Sequence, residues 1–472
     1  MTRYAPCPRS IKFKELAPRR FKATLQQLYD WGCQFYLHHS SGETMRTSIF
    51  GLILLLPLPA MGQRVVKQSF FGMHVKDPGL VSRMPVKFGT IGPMAGSAWK
   101  WLEPKPGEWN WSGYDAWVKA ANGQGYDIIY SFVRTPPWAA SAQNLPPSDL
   151  YSSTACNGPG GGSGDCMFRN FVYALVSRYK GRIKYYQLWN EPNANGFWNG
   201  PVEDLVRMAR DAYTIIHEVD PGARVLTPAP GAGGYPTMHH QWLAAYLRAG
   251  GAQWADIGSW HGYLQATTYT APWPERADSP SPGCSVGTWR CPGSVLDTYK
   301  QVRAVMDANG MAGKELWDTE GGWGVNDDKH SDLPDPSDQA AWLARWFIVQ
   351  AGAGVDRAVW YMFDGANGGW GTLWDDGAGM RPAAVAYQQV HDWLIDATIK
   401  PCIKQKSVWS CELTRPNGFV ARVVWSDGGD ASYSVAPQFN TVRDLGGKTY
   451  PVSNGAVTIT KAPLLLESGF GR

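Results

Sequence analysis

The stretch YYQLWNEPN at residues 185–193 decides the fold. Its aromatic and apolar start is typical of a buried strand, and Pro192 prevents an inner strand from continuing beyond Glu191. The stretch LWDTEGGWG at residues 316–324 repeats this pattern, since an apolar run delivers Glu320 and two glycines then turn the chain away. Polar groups at the ends of buried strands are typical of parallel barrels, which gather their reactive side chains at the carboxyl ends of the strands.

The rest of the central region alternates between short β-branched or aromatic runs and longer amphipathic stretches, which indicates βα units around a parallel sheet. Strands are predicted at residues 70–75, 86–90, 127–132, 185–189, 224–227, 257–260, 315–319 and 358–361. Helices are predicted at residues 114–121, 168–179, 202–219, 242–249, 295–309, 339–352 and 383–394. Eight strands with helices between them predict an α/β fold, a (β/α)8 TIM barrel over residues 63–397.

The last part of the chain has a different pattern. Helical periodicity ends near residue 395, and short strands with turn signals are predicted at residues 407–413, 419–425, 431–435 and 456–460. Residues 398–472 are therefore expected to form a small all-β, sandwich-like accessory domain. A carbohydrate-binding module is one interpretation of this domain, and a domain that only packs against the barrel is the simpler and favoured one.

Residues 45–62 have the pattern of a secretory signal peptide. A short basic start, MRTS, precedes an apolar run from Ile49, and AMG at residues 60–62 is a small-x-small cleavage site. The apolar run is shorter than the about 20 residues that cross a membrane. Because a signal peptide begins at the true N-terminus, residues 1–44 are interpreted as a mis-called extension. We expect a secreted or periplasmic protein without stable membrane insertion.

Cysteine spacing agrees with export. Six cysteines follow residue 62 and form three sequence-local pairs: Cys156 with Cys166, Cys284 with Cys291, and Cys402 with Cys411. Such pairs suit disulfides that close surface loops in an oxidising compartment. The zinc alternative needs four ligands at close spacing, and neither a CxxC motif nor a suitable histidine pair accompanies these cysteines.

The composition excludes some functions and suggests another. Hydrophobic residues make up 44% and charged residues 18% of the chain, which is typical of a globular protein with a sizeable core. The net charge of +4 is small, and no basic stripe in the central region predicts nucleic-acid binding. The chain has 24 tryptophans and 21 tyrosines; most such residues are core, but indole faces also stack on sugar rings.

No cofactor or metal is expected. The nine histidines include no HExxH or comparable cluster. Asp327, Asp328 and His330 could bind an ion, but a solvated loop is the favoured interpretation. The glycine-rich stretch at residues 158–164 lies between two cysteines rather than between a strand and a helix, so it is interpreted as a loop and not as a phosphate-binding site.

Two acidic residues at strand ends suit glycosidic cleavage. A single glutamate there is more often a structural ion-pair partner, but Glu191 and Glu320 each have a tryptophan nearby in sequence. The reaction needs one carboxylic acid to protonate the departing oxygen and one carboxylate on the other side of the anomeric carbon. A separation of about 5 to 5.5 Å gives retention of configuration, and about 6.5 to 9.5 Å gives inversion.

These motifs resemble clan A of the glycoside hydrolases. The WNEP end of strand 4 and the Glu320 end of strand 7 carry the resemblance, which spans residues 70–394. Within the clan, WKWLEP at residues 99–104 and GEWNW at residues 107–111 resemble family 39. The resemblance implies a retaining mechanism with Glu191 as acid/base and Glu320 as nucleophile. It also implies that Asn190 binds the sugar hydroxyl next to the anomeric carbon.

Further substrate-binding residues are expected from the other strands. The SWHGY end of strand 6 resembles the clan's histidine and tyrosine arrangement, in which Tyr263 would hold Glu320 ionised and His261 would bind substrate. A satisfied core histidine is the alternative for His261. Trp360, which ends strand 8, is expected to form the platform under the cleaved sugar. Candidates that could also simply wall the cleft are His74, Arg134, Trp138 and Trp323.

Several questions of substrate and reaction stay open at this point. Strand 2 ends in TIG at residues 90–92 and lacks the basic residue that many relatives carry, so the central sugar is not identified. Tryptophan-rich loops favour a cleft and endo-cleavage of a bacterial exopolysaccharide or plant wall glycan. The alternatives are an exo-acting β-xylosidase or α-L-arabinosidase, a transglycosylase, and a non-catalytic sugar-binding barrel, against which the presence of both acids argues. The sequence predicts no oligomeric state.

Overall fold

A computed structural model of the chain describes residues 64–93, 96–231, 238–264, 274–275, 294–326, 333–365 and 371–468. The predicted signal peptide and N-terminal extension lie outside these residues. So do the expected pair of Cys284 with Cys291, and the loop with Asp327, Asp328 and His330. Among the described residues, no helix has both the length and the apolar character needed to cross a membrane.

Eight parallel strands form the barrel, in the order β5-β4-β3-β2-β1-β8-β7-β6. They are β1 (Phe71–Met73), β2 (Thr90–Ile91), β3 (Asp127–Ser131), β4 (Tyr185–Gln187), β5 (Arg224–Leu226), β6 (Gly258–His261), β7 (Leu316–Gly321) and β8 (Arg357–Trp360). A parallel bridge between Leu226 and Ile257 joins β5 to the start of β6 and closes the ring. The predicted (β/α)8 architecture is confirmed.

Helices separate the strands and pack around them. They are α1 (Pro78–Val81), α2 (Trp99–Leu102), α3 (Ser112–Gly123), α4 (Cys166–Tyr179), α5 (Val202–Val219), α6 (His239–Arg248), α7 (Val295–Ala308), α8 (Pro336–Ala353) and α9 (Pro382–Leu394). Each predicted helix falls on one of α3 to α9. Inside the ring, a buried apolar cluster from four strands and the approach to β6 fills the barrel: Ile129, Leu226, Ile257, Trp317 and Val359.

The predicted position of strand 2 was wrong by several residues. The prediction covered residues 86–90, whereas β2 is Thr90–Ile91. Val86 and Phe88 are buried in the hydrophobic core without belonging to the strand. Their apolar character therefore reflects packing, which hydrophobicity alone does not distinguish from strand pairing.

After the barrel, short antiparallel strands form a separate domain. A hairpin of β9 (Trp374–Asp375) and β10 (Gly379–Met380) precedes α9. The strands of the domain are β11 (Thr398–Ile399), β12 (Ile403–Gln405), β13 (Val408–Thr414), β14 (Val420–Ser426), β15 (Ala431–Ser434), β16 (Thr441–Arg443), β17 (Thr449–Pro451), β18 (Ala456–Ile459) and β19 (Leu464–Glu467). β15 and β18 pair with each other, and the other seven form one sheet. The sequence predicted β13, β14, β15 and β18 and missed the other five.

Specific contacts fix this domain to the barrel. The Arg415 guanidinium donates to the carbonyl oxygens of Trp393 at 3.0 Å and Ile395 at 3.2 Å, at the end of α9. The Arg345 guanidinium on α8 donates to the Lys461 carbonyl at 3.2 Å. These bonds join the accessory domain to the barrel. Within the accessory domain a disulfide joins Cys402 to Cys411, and within the barrel another, of Cys156 with Cys166, closes the glycine-rich loop before α4.

Candidate active site

The loop after β4 holds Glu191 in a fixed backbone conformation. Its N–H donates to the carbonyl of Ala229 at 2.9 Å, and its own carbonyl accepts from the N–H of Ala194 at 2.9 Å. Its φ of 42° lies in the left-handed region, which residues other than glycine rarely adopt. Such backbone strain is concentrated at functional sites, where surrounding contacts maintain it. The side chain is buried at the carboxyl end of the barrel.

Two glycines let β7 present Glu320. A Cβ atom on Gly321 would lie 2.7 Å from the Trp346 ring, and one on Gly322 would lie 2.5 Å from the Tyr361 carbonyl oxygen. Any side chain at either position would therefore push the strand away from its neighbours. The pairing of β7 with β8 also shifts register between Asp318 and Gly321, which marks an irregular strand end at the nucleophile candidate.

The structure brings Glu191, His261 and Glu320 together from three different strands. His261 Nδ1 lies 2.9 Å from Glu191 Oε1 and 3.6 Å from Glu320 Oε2. One oxygen of each carboxyl and the ring nitrogen all lie within 4.8 Å of one another. The nearest oxygens of the two carboxyls are therefore within 4.8 Å, whereas inverting enzymes hold the two carboxyl groups about 6.5 to 9.5 Å apart.

Burial raises the pKa of the Glu320 carboxyl to about 7, and the nearby charge of Glu191 adds to the rise. The Tyr263 hydroxyl donates to Glu320 Oε1 at 2.9 Å, as the clan resemblance implies, and it lowers this pKa together with His261. Burial and the like charge of Glu191 outweigh this hydrogen bond in the pKa of Glu320, and the role of Tyr263 in keeping Glu320 ionised stays a prediction. Two carboxyls this close titrate as a pair, and a proton on one favours ionisation of the other.

His261 lies at the end of β6, between the two acids. Its ring nitrogen contacts Glu191 and Glu320, a juxtaposition of residues 70 and 59 positions apart that the sequence did not indicate. Burial lowers the pKa of the His261 imidazole, but attraction to both carboxylates outweighs this effect and raises it overall. His261 thus links the two acids electrostatically, and direct contact with substrate stays a prediction.

Asp318 is a buried acid that the sequence analysis missed. Its Oδ1 accepts from the Gly262 N–H at 2.8 Å, and a Cβ atom on Gly262 would lie 1.9 Å from its Oδ2. The Gln350 amide, in the orientation that satisfies its neighbours, donates to Oδ2 at 3.0 Å and accepts from Trp346 Nε1. Because an indole N–H can only donate, this network requires Asp318 to accept on both oxygens. Burial raises the pKa of Asp318, and the Gly262 donor opposes the rise.

His74 supports the strand end beside Glu320. Its Nε2 lies 3.0 Å from the Thr319 carbonyl oxygen and its Nδ1 lies 3.3 Å from that of Pro93. Burial lowers the pKa of its imidazole to about 4, so the ring is neutral near pH 7. A Cβ atom on Gly92 would lie 2.4 Å from His74 Nε2. The imidazole therefore occupies the room that a side chain directly after β2 would need, and a sugar contact by His74 stays a prediction.

Two of the candidate tryptophans stack on each other. The rings of Trp323 and Trp360 lie 6.1 Å apart at 29°, and the Trp346 ring packs edge-on against Trp360 at 5.7 Å. The Trp360 indole N–H donates to the Gly371 carbonyl at 2.9 Å. Both tryptophans are buried, and together they form a cluster of stacked rings beside β7 and β8. The role of Trp360 as a sugar platform and that of Trp323 stay predictions.

The remaining candidates come from strands 3 and 4. Asn190 is partly buried, and its N–H donates to the Phe132 carbonyl at 3.2 Å, directly beside the acid. The Arg134 guanidinium donates to the Gly196 carbonyl and lies 4.5 Å from the Phe197 ring centroid. Arg134 thus connects the loops that follow β3 and β4, and sugar binding by either residue stays a prediction.

Trp138 packs on the wall of the same region. Its indole N–H donates to the Glu103 carbonyl at 2.9 Å, and its ring lies edge-on to Trp99 at 5.8 Å. Glu103, which the sequence analysis did not single out, is buried and accepts from the Trp99 indole N–H at 2.8 Å. These contacts give Trp138 a wall function, and its contact with sugar stays a prediction.

Among the described residues, Glu191, His261 and Glu320 are the one set of three potential metal ligands with donor atoms this close together. Two carboxylates and one imidazole could coordinate a divalent cation. However, His261 Nδ1 already bonds to Glu191 Oε1, and the Tyr263 hydroxyl donates to Glu320 Oε1. The arrangement suits proton sharing between the two acids.

No protein-family model matches the sequence. The fold is similar to that of a family 39 glycoside hydrolase from the gut symbiont Bacteroides cellulosilyticus WH2, with a TM-score of 0.64 and 19% identity over 86% of this chain and 82% of the other. A GH39 β-xylosidase from Caulobacter crescentus gives a TM-score of 0.57 and 15% identity over 86% and 98%. A GH51 arabinofuranosidase from Xanthomonas axonopodis pv. citri gives 0.53 and 13% over 86% and 97%. At these identities the likeness shows the fold.

Proposed function

We propose that this protein is a retaining glycoside hydrolase that cleaves O-glycosidic bonds in a polysaccharide or oligosaccharide. The observation that carries the proposal is the approach of Glu191, after β4, and Glu320, on β7, to within 4.8 Å, oxygen to oxygen. The similar structures named above are glycoside hydrolases of families 39 and 51, which supports the same class of reaction here.

The proposed reaction has two displacement steps. A Glu320 carboxylate oxygen attacks the anomeric carbon while Glu191 gives its proton to the departing glycosidic oxygen, so the C–O bond to the leaving sugar breaks as the glycosyl-enzyme bond forms. Water then attacks the same carbon, Glu191 takes its proton, and the bond to Glu320 breaks. Two inversions at one carbon give net retention, and the enzyme returns to its starting protonation state.

The geometry assigns separate tasks to the neighbouring groups. The hydrogen bond from Tyr263 holds the Glu320 carboxyl in one orientation and stabilises its charged form. The His261 ring lies against both carboxyls, so a change of charge on one acid is transmitted to the other. The first step requires a proton on Glu191 and a negative charge on Glu320, and the close approach of the two carboxyls disfavours a charge on both.

The finer proposals concern substrate and location. Endo-cleavage of an exopolysaccharide or wall glycan is favoured by the tryptophan-rich loops, and exo-acting β-xylosidase or α-L-arabinosidase activity is the alternative. Export is supported by the signal-peptide pattern at residues 45–62 and by the disulfides of Cys156 with Cys166 and Cys402 with Cys411. The sizes of the products from a defined oligosaccharide distinguish endo from exo action.

The test is reducing-end release across a panel of plant and bacterial polysaccharides, with Glu320→Gln beside the wild type. Release by the wild type alone, with retained anomeric configuration in the first product detected by NMR, is the expected result. Equal release by both proteins would remove Glu320 from the nucleophile role. Binding without release by the wild type would instead support a non-catalytic sugar-binding barrel.

A further inference from the structure

Trp101 is an exposed tryptophan at the carboxyl end of the barrel. It lies on the short helix α2, directly after β2, and 49% of its surface is exposed. Its helix neighbours Trp99 and Leu102 are buried. Single exposed apolar residues are common on protein surfaces, so exposure alone does not identify a binding site. The position matters here, because the loops at this end of a barrel form the substrate cleft.

Polar groups surround the exposed ring. The Lys100 ammonium lies 4.8 Å from the centroid of the Trp101 ring and donates to Gln143 Oε1 at 2.7 Å. A cation held over one face of an indole restrains the ring, so a ligand that stacks on Trp101 meets a partly preorganised surface. An exposed indole with an ammonium and an amide close by matches a sugar ring, which has apolar faces and a rim of hydroxyl groups.

A chain of hydrogen bonds joins this position to the loop that carries the acid. The Lys100 N–H donates to the Arg134 carbonyl at 3.2 Å, at the end of strand 3. Next to Gln143, the Asn144 side-chain amide donates to the Asn195 carbonyl at 2.7 Å. Asn195 lies four residues after Glu191. Trp101 therefore belongs to a wall that the loops after β2, β3 and β4 build together, the last of which carries Glu191.

We propose that Trp101, with Lys100 and Gln143, forms a saccharide subsite at a distance from the cleaved bond. The ligand is one pyranose or furanose ring of a longer glycan, stacked on the indole with its hydroxyls bonded to the Lys100 ammonium and the Gln143 amide. The inference rests on the proposed glycosidase function and extends it to the length of the substrate. It requires the enzyme to prefer oligosaccharides long enough to reach Trp101 over a single glycosyl unit.

Trp109 provides a matched control. It is 37% exposed and follows the same helix in the chain, but its ring stacks on Trp111 at 5.1 Å and on Phe171 of α4 at 6.4 Å. Trp109 thus covers apolar side chains of the barrel's outer layer. Its replacement removes an exposed indole of the same kind from a position that serves packing.

The experiment uses the full chain and the polysaccharide that the wild type cleaves in the panel. A size series prepared by partial acid hydrolysis of that polysaccharide, and the 4-nitrophenyl glycoside of its single sugar, are the substrates. We expect Trp101→Ala to lower kcat/KM for the long oligosaccharides about tenfold, equivalent to about 1.4 kcal/mol. The kcat/KM for the nitrophenyl glycoside should stay at the wild-type value, and Trp101→Tyr should keep most of the activity on long chains.

The outcomes separate the inference from the function on which it rests. Equal losses on short and long substrates, or no loss on either, would overturn the subsite, and so would an equal length-dependent loss in Trp109→Ala. Unchanged melting temperatures exclude unfolding as the cause of a loss. If the wild type cleaves nothing in the panel, the proposed hydrolase function itself fails. A wild type that cleaves but shows no preference for longer chains leaves the function standing and refutes the subsite.

Discussion

Two glutamates at the two ends of strand β7 have opposite electrostatic environments. Glu315 directly precedes the strand, and its carboxyl accepts from the Arg224 guanidinium at 2.5 Å and from the Trp317 indole N–H at 2.9 Å. Burial raises the pKa of Glu315, but these donors outweigh it and lower the pKa overall. Five residues later, Glu320 faces Glu191, and burial raises its pKa to about 7.

The difference indicates which end of the barrel stabilises the fold and which end performs chemistry. At the amino end, Arg357 bonds to Asp127 at 2.8 Å, and the Arg224 guanidinium pairs with Glu315, so each of these charges has an opposite partner. At the carboxyl end, like charges are held close together beside one imidazole. Such an arrangement costs stability, and strongly perturbed carboxyls in a cleft are typical of functional sites.

The largest expected effect is the loss of activity when the carboxyl of Glu320 is removed. Glu320→Gln should lower kcat more than about a thousandfold, because an amide cannot form the covalent intermediate. Glu315→Gln should leave kcat close to the wild-type value, since this carboxyl lies at the other end of the strand. Initial rates on the best substrate of the panel measure both effects. Comparable losses in the two variants would abolish the functional distinction between the ends.

The next effect concerns the pH dependence of kcat/KM. Ionised Glu320 is the nucleophile, so activity should rise with pH through about 7, where its raised pKa lies. The reaction also needs a proton donor, so a fall in activity is expected at higher pH, and Glu191→Ala should remove this limb for substrates with good leaving groups. For poor leaving groups, the same variant should lose about 10² to 10⁴-fold in rate. A variant that keeps the alkaline limb would not have lost the acid.

These contrasts show how far the sequence leads. The sequence alone identified Glu191 and Glu320 as the two catalytic candidates, because each follows an apolar run and precedes a residue that ends or turns a strand. The contact of His261 with Glu191 was not identified, because it depends on how strands 70 residues apart meet in the closed barrel. Likewise, only the folded chain shows that Gly92 leaves room for the ring of His74.

Some of the missed features had a signal in the sequence. Asp318 is an acid inside the apolar run that precedes Glu320, and a buried strand with an acid in it needs a reason. The fold itself was predictable because the barrel strands alternate with long amphipathic helices. The accessory domain was less predictable. Its strand β19 contains three consecutive leucines, Leu464, Leu465 and Leu466, and lacks the alternation of apolar and polar residues that marks a half-buried strand.

A smaller loss of activity is expected for Asp318, which we regard as a positioning residue. In Asp318→Asn, one carboxylate oxygen becomes an N–H2 donor and opposes either the Gly262 N–H or the Gln350 amide. The segment that carries His261 then loses its anchor, and kcat should fall about ten- to a hundredfold with little change in KM. The pH profile should also shift, because Asp318 raises the pKa of His261.

The matched control for Asp318 lies at the other end of the barrel. The Asp256 carboxylate accepts from the Val225 N–H at 2.8 Å, which is the same kind of backbone anchor beside β6. Asp256→Asn should therefore affect stability and leave the pH profile unchanged. If both variants shift the profile alike, Asp318 serves the fold in general and has no specific role in positioning His261.

The smallest expected effect is a difference in the free energy of unfolding between variants of Glu320 and Glu315. The pKa of Glu320 rises from 4.5 to about 7 on folding, so ionised Glu320 destabilises the protein by roughly 3 kcal/mol above pH 7 and by nothing below its unfolded value. Glu320→Gln should thus raise the free energy of unfolding at pH 8 and leave it unchanged at pH 4. Glu315 has a lowered pKa and a partly exposed ion pair, so Glu315→Gln should lose about 0 to 1 kcal/mol at pH 8 and less at pH 3. Denaturant unfolding at these pH values gives the sign of each change in the free energy of unfolding. If Glu320→Gln is destabilised at pH 8, the neighbours of Glu320 compensate its charge fully, and the carboxyl end of the barrel carries no stability cost.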